Sequence, residues 1–123
     1  MNFLRHQTRI MADVYRAYRF LTVPEAVGKW CKRSYEVLER MPYEQVVWRV
    51  TGSDGVTLSL SFHLMKCASK TEYCTEIHVV TTTDAANLEG YKDEVEQLLE
   101  MLRVYFNKTW VILDTDLTAS QLT

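Results

Sequence analysis

Residues 88–106 read LEGYKDEVEQLLEMLRVYF, and the fold turns on this stretch. Its apolar residues fall at Leu88, Tyr91, Val95, Leu98, Leu99, Leu102 and Phe106, in steps of three and four. Such spacing lines one face of a long amphipathic helix. Asp93, Glu96, Gln97, Glu100 and Arg103 occupy the other face. The segments before it alternate apolar and polar residues, as half-buried strands do. The pattern predicts an α+β domain in which an antiparallel curved sheet wraps this helix, with any binding site between the two.

The chain has 123 residues, which suits a single domain over 1–123 with a polar, flexible tail at 113–123. A net charge of -2, with both signs interspersed, gives no bulk attraction to nucleic acid, and no nucleic-acid partner is expected. Three cysteines, Cys31, Cys67 and Cys74, form no CxxC pair, so neither a zinc site nor a disulfide framework is expected. Cys67 and Cys74 stand where they can face each other across a hairpin. A bridge there requires an oxidising compartment, and reduced thiols are the default. No secretory signal and no apolar run long enough to span a bilayer is visible, which points to a cytoplasmic protein. Asn107-Lys108-Thr109 matches a glycosylation acceptor, read as chance in that setting.

Residues 1–10 suggest a first strand with Arg5, Gln7 and Arg9 on its polar side. Met11, Val14, Tyr15, Tyr18 and Leu21 predict a helix from Met11 to Phe20. Thr22 is positioned to cap a second short helix from Pro24 to Cys31, with Val27 and Trp30 buried. Strands follow at Ser34–Arg40, Tyr43–Thr51, Val56–Met65 and Thr71–Thr81, separated by turns at Met41-Pro42, Gly52-Ser53-Asp54-Gly55 and Ala68-Ser69-Lys70. Asp84 or Asn87 can cap the long helix, and Gly90 suggests that its regular part begins near Tyr91. After Phe106, Trp110-Val111-Ile112-Leu113 forms a β-prone apolar run that could add a strand to a sheet edge or make a homodimer contact.

In sequence order, Val14-Tyr15-Arg16-Ala17-Tyr18-Arg19-Phe20-Leu21-Thr22-Val23-Pro24-Glu25, followed by Lys29-Trp30, resembles a helix–Thr–x–Pro–Glu–helix–Trp signature. That signature occurs in homologues of the activator of the ninety-kilodalton heat-shock protein ATPase, within the START-like, helix-grip (SRPBCC) superfamily. Glu36 to Pro42 is similar to the family's strand leading to a Pro before a Trp-bearing strand, and Lys70-Thr71-Glu72 stands where a Gly-Thr often opens the last strand. The resemblance spans roughly residues 10–106. It implies a helix-grip fold with a hydrophobic cavity between sheet and C-terminal helix. The family usually has two further strands before Ser34, so a smaller sheet and a shallower cavity are expected here. Superfamily members bind lipids, hormones or aromatic polyketides, and a minority catalyse. They share no catalytic set, so no catalytic residue is carried over.

The cavity candidates are Tyr35, Trp48, Leu60, Phe62, Ile77, Val79, Tyr91, Leu98, Leu102 and Tyr105, with the tyrosine hydroxyls as polar handles. The pattern favours a non-catalytic module that holds a small hydrophobic or aromatic ligand or contacts a protein partner, without a cofactor or metal. A cyclase-like or hydrolase-like enzyme using a cavity Tyr or His is the alternative, and an interaction protein with a filled core is a third. No His or carboxylate is expected on the inner sheet face except Glu39, which shares parity with Tyr35 and Val37. His63, Cys74, Glu76 and His78 fall together on the outer face; they could bind a transition metal, or His63 with Glu76 could act as a base pair, but the default reading is a polar side turned to solvent. Cys31 reads as a buried thiol, and Arg16 and Arg19 as a solvated helix face.

Overall fold

The computed structural model describes residues 3–52, 54–67, 73–84 and 88–122, with side chains through 107. The elements in chain order are β1 (Leu4–Ile10), α1 (Val14–Thr22), α2 (Pro24–Val27), β2 (Tyr35–Met41), β3 (Gln45–Thr51), β4 (Thr57–Lys66) and β5 (Thr75–Thr83). A single 3₁₀ turn, Leu88–Tyr91, leads into α3 (Lys92–Leu122). The strands form one antiparallel sheet in the order β1-β5-β4-β3-β2. The first strand thus pairs with the last, and both edges belong to early segments of the chain.

Alternation along the strands sets the inner face. Val46, Trp48 and Val50 of β3, Leu58, Leu60, Phe62 and Leu64 of β4, and Ile77 and Val79 of β5 are buried. In β4 the intervening Thr57, Ser59, Ser61 and His63 point the other way, as a period of two requires. Opposite this face lie α1 and α2, with Ala17, Phe20, Leu21, Ala26 and Val27 buried, and α3, with Val95, Leu98, Leu99, Leu102 and Phe106 buried. The helix packs against β1, whereas α1 packs against β3 and β4.

The start of α1 is set by Asp13, whose carboxylate accepts from the backbone N–H of Arg16 at 2.8 Å. The helix therefore begins later than Met11, and its buried arc runs through Ala17, Phe20 and Leu21. Tyr15, expected on that face, is 62% exposed and packs edge-on against Tyr43 instead. Thr22 does not cap α2: its hydroxyl donates back to the Tyr18 carbonyl within α1, at 2.8 Å. Helix α2 closes after one turn, at Val27, and tight bonds from Lys29 to Ala26 and from Trp30 to Val27, both 3.1 Å, carry the chain around.

The end of α1 is closed by tertiary structure. A helix leaves its last carbonyls without partners in the helix. Here Arg19 accepts from the Val23 N–H at 2.9 Å, Phe20 from the Trp30 indole at 2.8 Å, and Leu21 from the Trp48 indole at 2.8 Å. Two tryptophans distant in sequence thus bury their rings and satisfy the helix terminus at once.

In β2 a register shift between Val37 and Glu39 changes which side chains face inward. Val37 pairs with the inward Trp48, but Glu39 pairs with Val47, which lies on the outer face. The expected inward carboxylate is therefore turned outward by the bulge. The β3–β4 turn closes through Gly55, whose φ of 85° suits glycine, and through a 2.6 Å bond from the Gly52 N–H to the Val56 carbonyl. Tyr43 takes a φ of 65° in the β2–β3 turn.

Four further expectations differ from the structure. Cys67 and Cys74 are joined by a disulfide across the β4–β5 hairpin, so they are not reduced thiols. The run Trp110, Val111, Ile112 and Leu113 lies within α3 and is no strand. Extending an existing helix adds one hydrogen bond per residue with no new nucleation, which outweighs local β propensity. His6 lies on the inner side of β1, beside α3, where no histidine was expected. The helix runs on to Leu122, through the segment read from sequence as a tail. The Ala68-Ser69-Lys70 turn, the Lys70-Thr71-Glu72 motif and Asn87 lie outside the described residues.

Candidate functional site

Most of the cavity candidates meet in the core. Trp48, Leu60, Phe62, Ile77, Val79, Leu98 and Leu102 are buried, and so is Tyr91. Tyr35 and Tyr105 are partly buried and pack against the same cluster. Trp48 is the centre of an aromatic group. It lies nearly parallel to Trp30 at 5.7 Å and to Tyr35 at 4.5 Å, and meets Phe62 edge-on at 5.0 Å. These rings occupy the space beneath the helical layer in which a superfamily cavity was expected.

Tyr91 is committed elsewhere. Its hydroxyl donates to Asp54 Oδ2 at 2.5 Å, fastening the β3–β4 turn to the entry of α3. That bond pushes the phenol up to about 12 and holds the Asp54 carboxyl below its ordinary range. Gly52 lies under this contact, where an added Cβ would stand 3.2 Å from the Tyr91 ring and 3.0 Å from Glu94.

The open space lies one layer out. A groove of about 690 Å³ runs between the segment after α2 and the exposed flank of α3. Trp30, Leu98, Met101, Val104 and Tyr105 form its apolar surface, and Lys29, Lys32, Arg33, Gln97 and Glu100 edge it. The volume falls in the range of small-molecule sites. Of the ten cavity candidates, only Leu98 and Tyr105 line it.

Two stripes on α3 account for this division. Val95, Leu99, Leu102 and Phe106 form the inner stripe and are buried. Leu98, Met101 and Tyr105 form a second at the same spacing, rotated toward α2, with Val104 at its rim. Trp30 is shared: its indole N–H is bonded to Phe20 in the interior, while the residue borders the groove. Trp30, Met101 and Val104 line the groove and were not among the cavity candidates, although the second stripe was legible in the spacing of Leu98, Met101 and Tyr105.

The electrostatics of the groove are one-sided. Lys29, Lys32 and Arg33 come from one short segment. Nη2 of Arg33 donates to the Thr51 carbonyl at 2.8 Å, which holds the guanidinium in place without neutralising it. Glu100, on the opposite wall, is bound by Arg103 through Nε at 2.9 Å and through a second bond from Nη2. The nearby Cys31 thiol is pushed up by burial and donates to the Arg33 carbonyl at 3.5 Å. It is therefore held as a neutral thiol, not as a nucleophile.

On the outer face, register places His63 directly opposite His78. His78 Nε2 donates to Glu76 Oε1 at 2.8 Å, Gln7 Nε2 donates to the same oxygen at 2.6 Å, and His63 shares a hydrogen bond with Ser61 at 3.1 Å. Cys74 is consumed by its disulfide. Among the described residues no group of three or more His, Cys, Asp or Glu side chains is arranged to hold a metal.

Solved structures resemble this chain over most of its length. Protein MLL2253 from Mesorhizobium loti superposes with a TM-score of 0.66 at 14% identity, covering 87% of this chain and 98% of that one. The Aha1 dimer from Colwellia psychrerythraea gives a TM-score of 0.63 at 16% identity, over 86% of this chain and 96% of that one. The fold is the START-like helix-grip. Protein CV1439 from Chromobacterium violaceum agrees, with a TM-score of 0.61 at 16% identity over 86% and 98%. No family model and no curated protein matches the sequence. At these identities the helix-grip neighbours establish architecture alone. Among the described residues, no helix of this helix-grip chain is long and apolar enough to cross a membrane.

Proposed function

We propose that this helix-grip protein is a non-catalytic binding module that holds a small hydrophobic or aromatic ligand in the groove between the segment after α2 and α3. The observation that carries this reading is the apolar groove of about 690 Å³ beside an otherwise packed core. In this reading the ligand lies on the flank of α3, since Trp30, Trp48, Tyr35 and Phe62 fill the interior beneath it. A neutral aromatic probe, N-phenyl-1-naphthylamine, tests this. Saturable fluorescence enhancement is expected, and Val104→Asp should abolish it without unfolding the protein, since Val104 is 44% exposed. Absence of saturable binding, or binding indifferent to Val104→Asp, refutes the proposal.

A second reading, contact with a protein partner, is favoured by one end of the molecule. Tyr15, Tyr43, Tyr73, Met41 and Met65 are all large and exposed, and Tyr43 meets both Tyr15 and Tyr18 edge-on. Homodimerisation through Trp110, Val111, Ile112 and Leu113 belongs with this reading, and a helix-grip neighbour is described as a dimer. Light scattering of the wild type and of Trp110→Ala tests it, with a monomeric wild type as the refuting result. A cytoplasmic location stands against the Cys67–Cys74 bridge, which persists in an oxidising setting. Thiol labelling in a fresh cell extract distinguishes the two.

A further inference from the structure

The ligand class of the groove follows from the separation of its charge and its apolar surface. We infer that the groove takes a single-chain amphiphile with an anionic head, an inference that rests on the groove's being a ligand site at all. Its apolar part, around Trp30, Met101 and Val104, offers nothing to a polar body. A ligand that fills it must be hydrocarbon or aromatic along most of its length.

The rim adds a sign. Lys29, Lys32 and Arg33 place three cationic side chains along one edge. Among the described residues Glu100 is the carboxylate lining the groove, and its charge is already matched by Arg103. The rim therefore keeps a positive excess facing an apolar surface. Arg33 is fixed by a neutral carbonyl, so its planar fork is pre-positioned at little further cost in side-chain freedom. An uncharged ligand would leave these groups to water. A cationic one would be repelled. A carboxylate or phosphate at one end of an alkyl chain satisfies both halves of the surface, the head at the lysines and the chain along α3.

Isothermal titration with decanoate, decyl phosphate and decanol, each below its aggregation limit, tests the inference. Decanoate or decyl phosphate should bind about tenfold more tightly than decanol, the scale expected of a few exposed ion pairs acting together. The preference should shrink as salt is raised. Lys29→Gln with Lys32→Gln, both at exposed positions, should weaken the two anions more than decanol and so narrow the preference to the share that Arg33 supplies. The ranking of the two anions then tells a carboxylate head from a phosphate head. Equal affinity for decanol and both anions overturns the anionic head and leaves the hydrophobic site standing. Anion binding that survives Val104→Asp places the ligand elsewhere and overturns the inference. Failure of all three to bind removes the ligand reading together with it.

Discussion

Replacing Trp48 by Phe isolates the device that closes α1. The indole N–H donates to the Leu21 carbonyl at 2.8 Å, and the side chain is fully buried. Phenylalanine keeps an aromatic ring but offers no donor, so a helix-terminal carbonyl is left unpaired in a dry interior. Such an orphan costs about 1–3 kcal/mol. Shrinking the ring also weakens its contacts with Trp30 and Tyr35, worth about 0.5–1.5 kcal/mol beyond area. Together these predict a loss of about 1.5–4.5 kcal/mol. Trp30→Phe removes the equivalent buried bond to Phe20, but Trp30 borders the groove, from which a water is expected to enter and replace the lost donor. Its cost should be smaller, about 1–2 kcal/mol. Phe62→Leu is the control: the same core, with no hydrogen bond, at about 1–2 kcal/mol. Urea unfolding followed by far-ultraviolet dichroism, with midpoints compared at constant slope, measures all three. If Trp48→Phe proves no costlier than Phe62→Leu, the indole bond does not stabilise the terminus and the reasoning fails.

Other consequences follow from the bridge, from His6 and from Tyr91. The Cys67–Cys74 separation of 7 closes a loop of about eight residues, for which chain entropy gives about 2.5 kcal/mol; urea midpoints that do not move on adding reductant would show that the bridge is absent in solution. Burial pushes His6 below its ordinary value, partly offset by Glu96 at 3.7 Å, while Lys92 acts in the same sense as burial. The folded state then binds fewer protons there than the unfolded state, so this contribution is fully present above about pH 6.5 and is lost as pH falls through the depressed folded value. His6→Leu should flatten stability over that acid range, and an unchanged slope would sink the assignment. Tyr91→Phe should let the Asp54 carboxyl rise toward its ordinary range, read by carbon NMR titration; a carboxyl that stays low would mean that the backbone N–H groups of Val56 and Asp54 hold it down without the phenol.

The order of strands and helices was legible because it rests on local periodicity, and the resemblance gave it the name helix-grip. The alternation of Leu58, Leu60, Phe62 and Leu64 makes one strand whatever it packs against, and Gly55 marks its turn. The spacing of Val95, Leu98, Leu99, Leu102 and Phe106 makes one helix, and Gly90 placed the start of its regular part near Tyr91, where the 3₁₀ turn ends. The outward direction of Glu39 was not legible, because a bulge in β2 reverses parity without any change in residue type. Neither was the exposure of Tyr15, since burial on α1 depends on where Asp13 starts the helix and on Ala17 allowing close approach.

Sequence alone determined that an amphipathic helix of three- and four-residue spacing packs on an antiparallel sheet, because the spacing of apolar residues commits the backbone before any long-range contact forms. Tertiary structure alone decided that Trp30 and Trp48 close α1, that Cys67 meets Cys74, and that the open space lies along Met101 and Val104 instead of beneath α3. Those outcomes depend on which side chains reach the same volume. With the aromatic rings filling the interior, the apolar groove runs along the second stripe of α3.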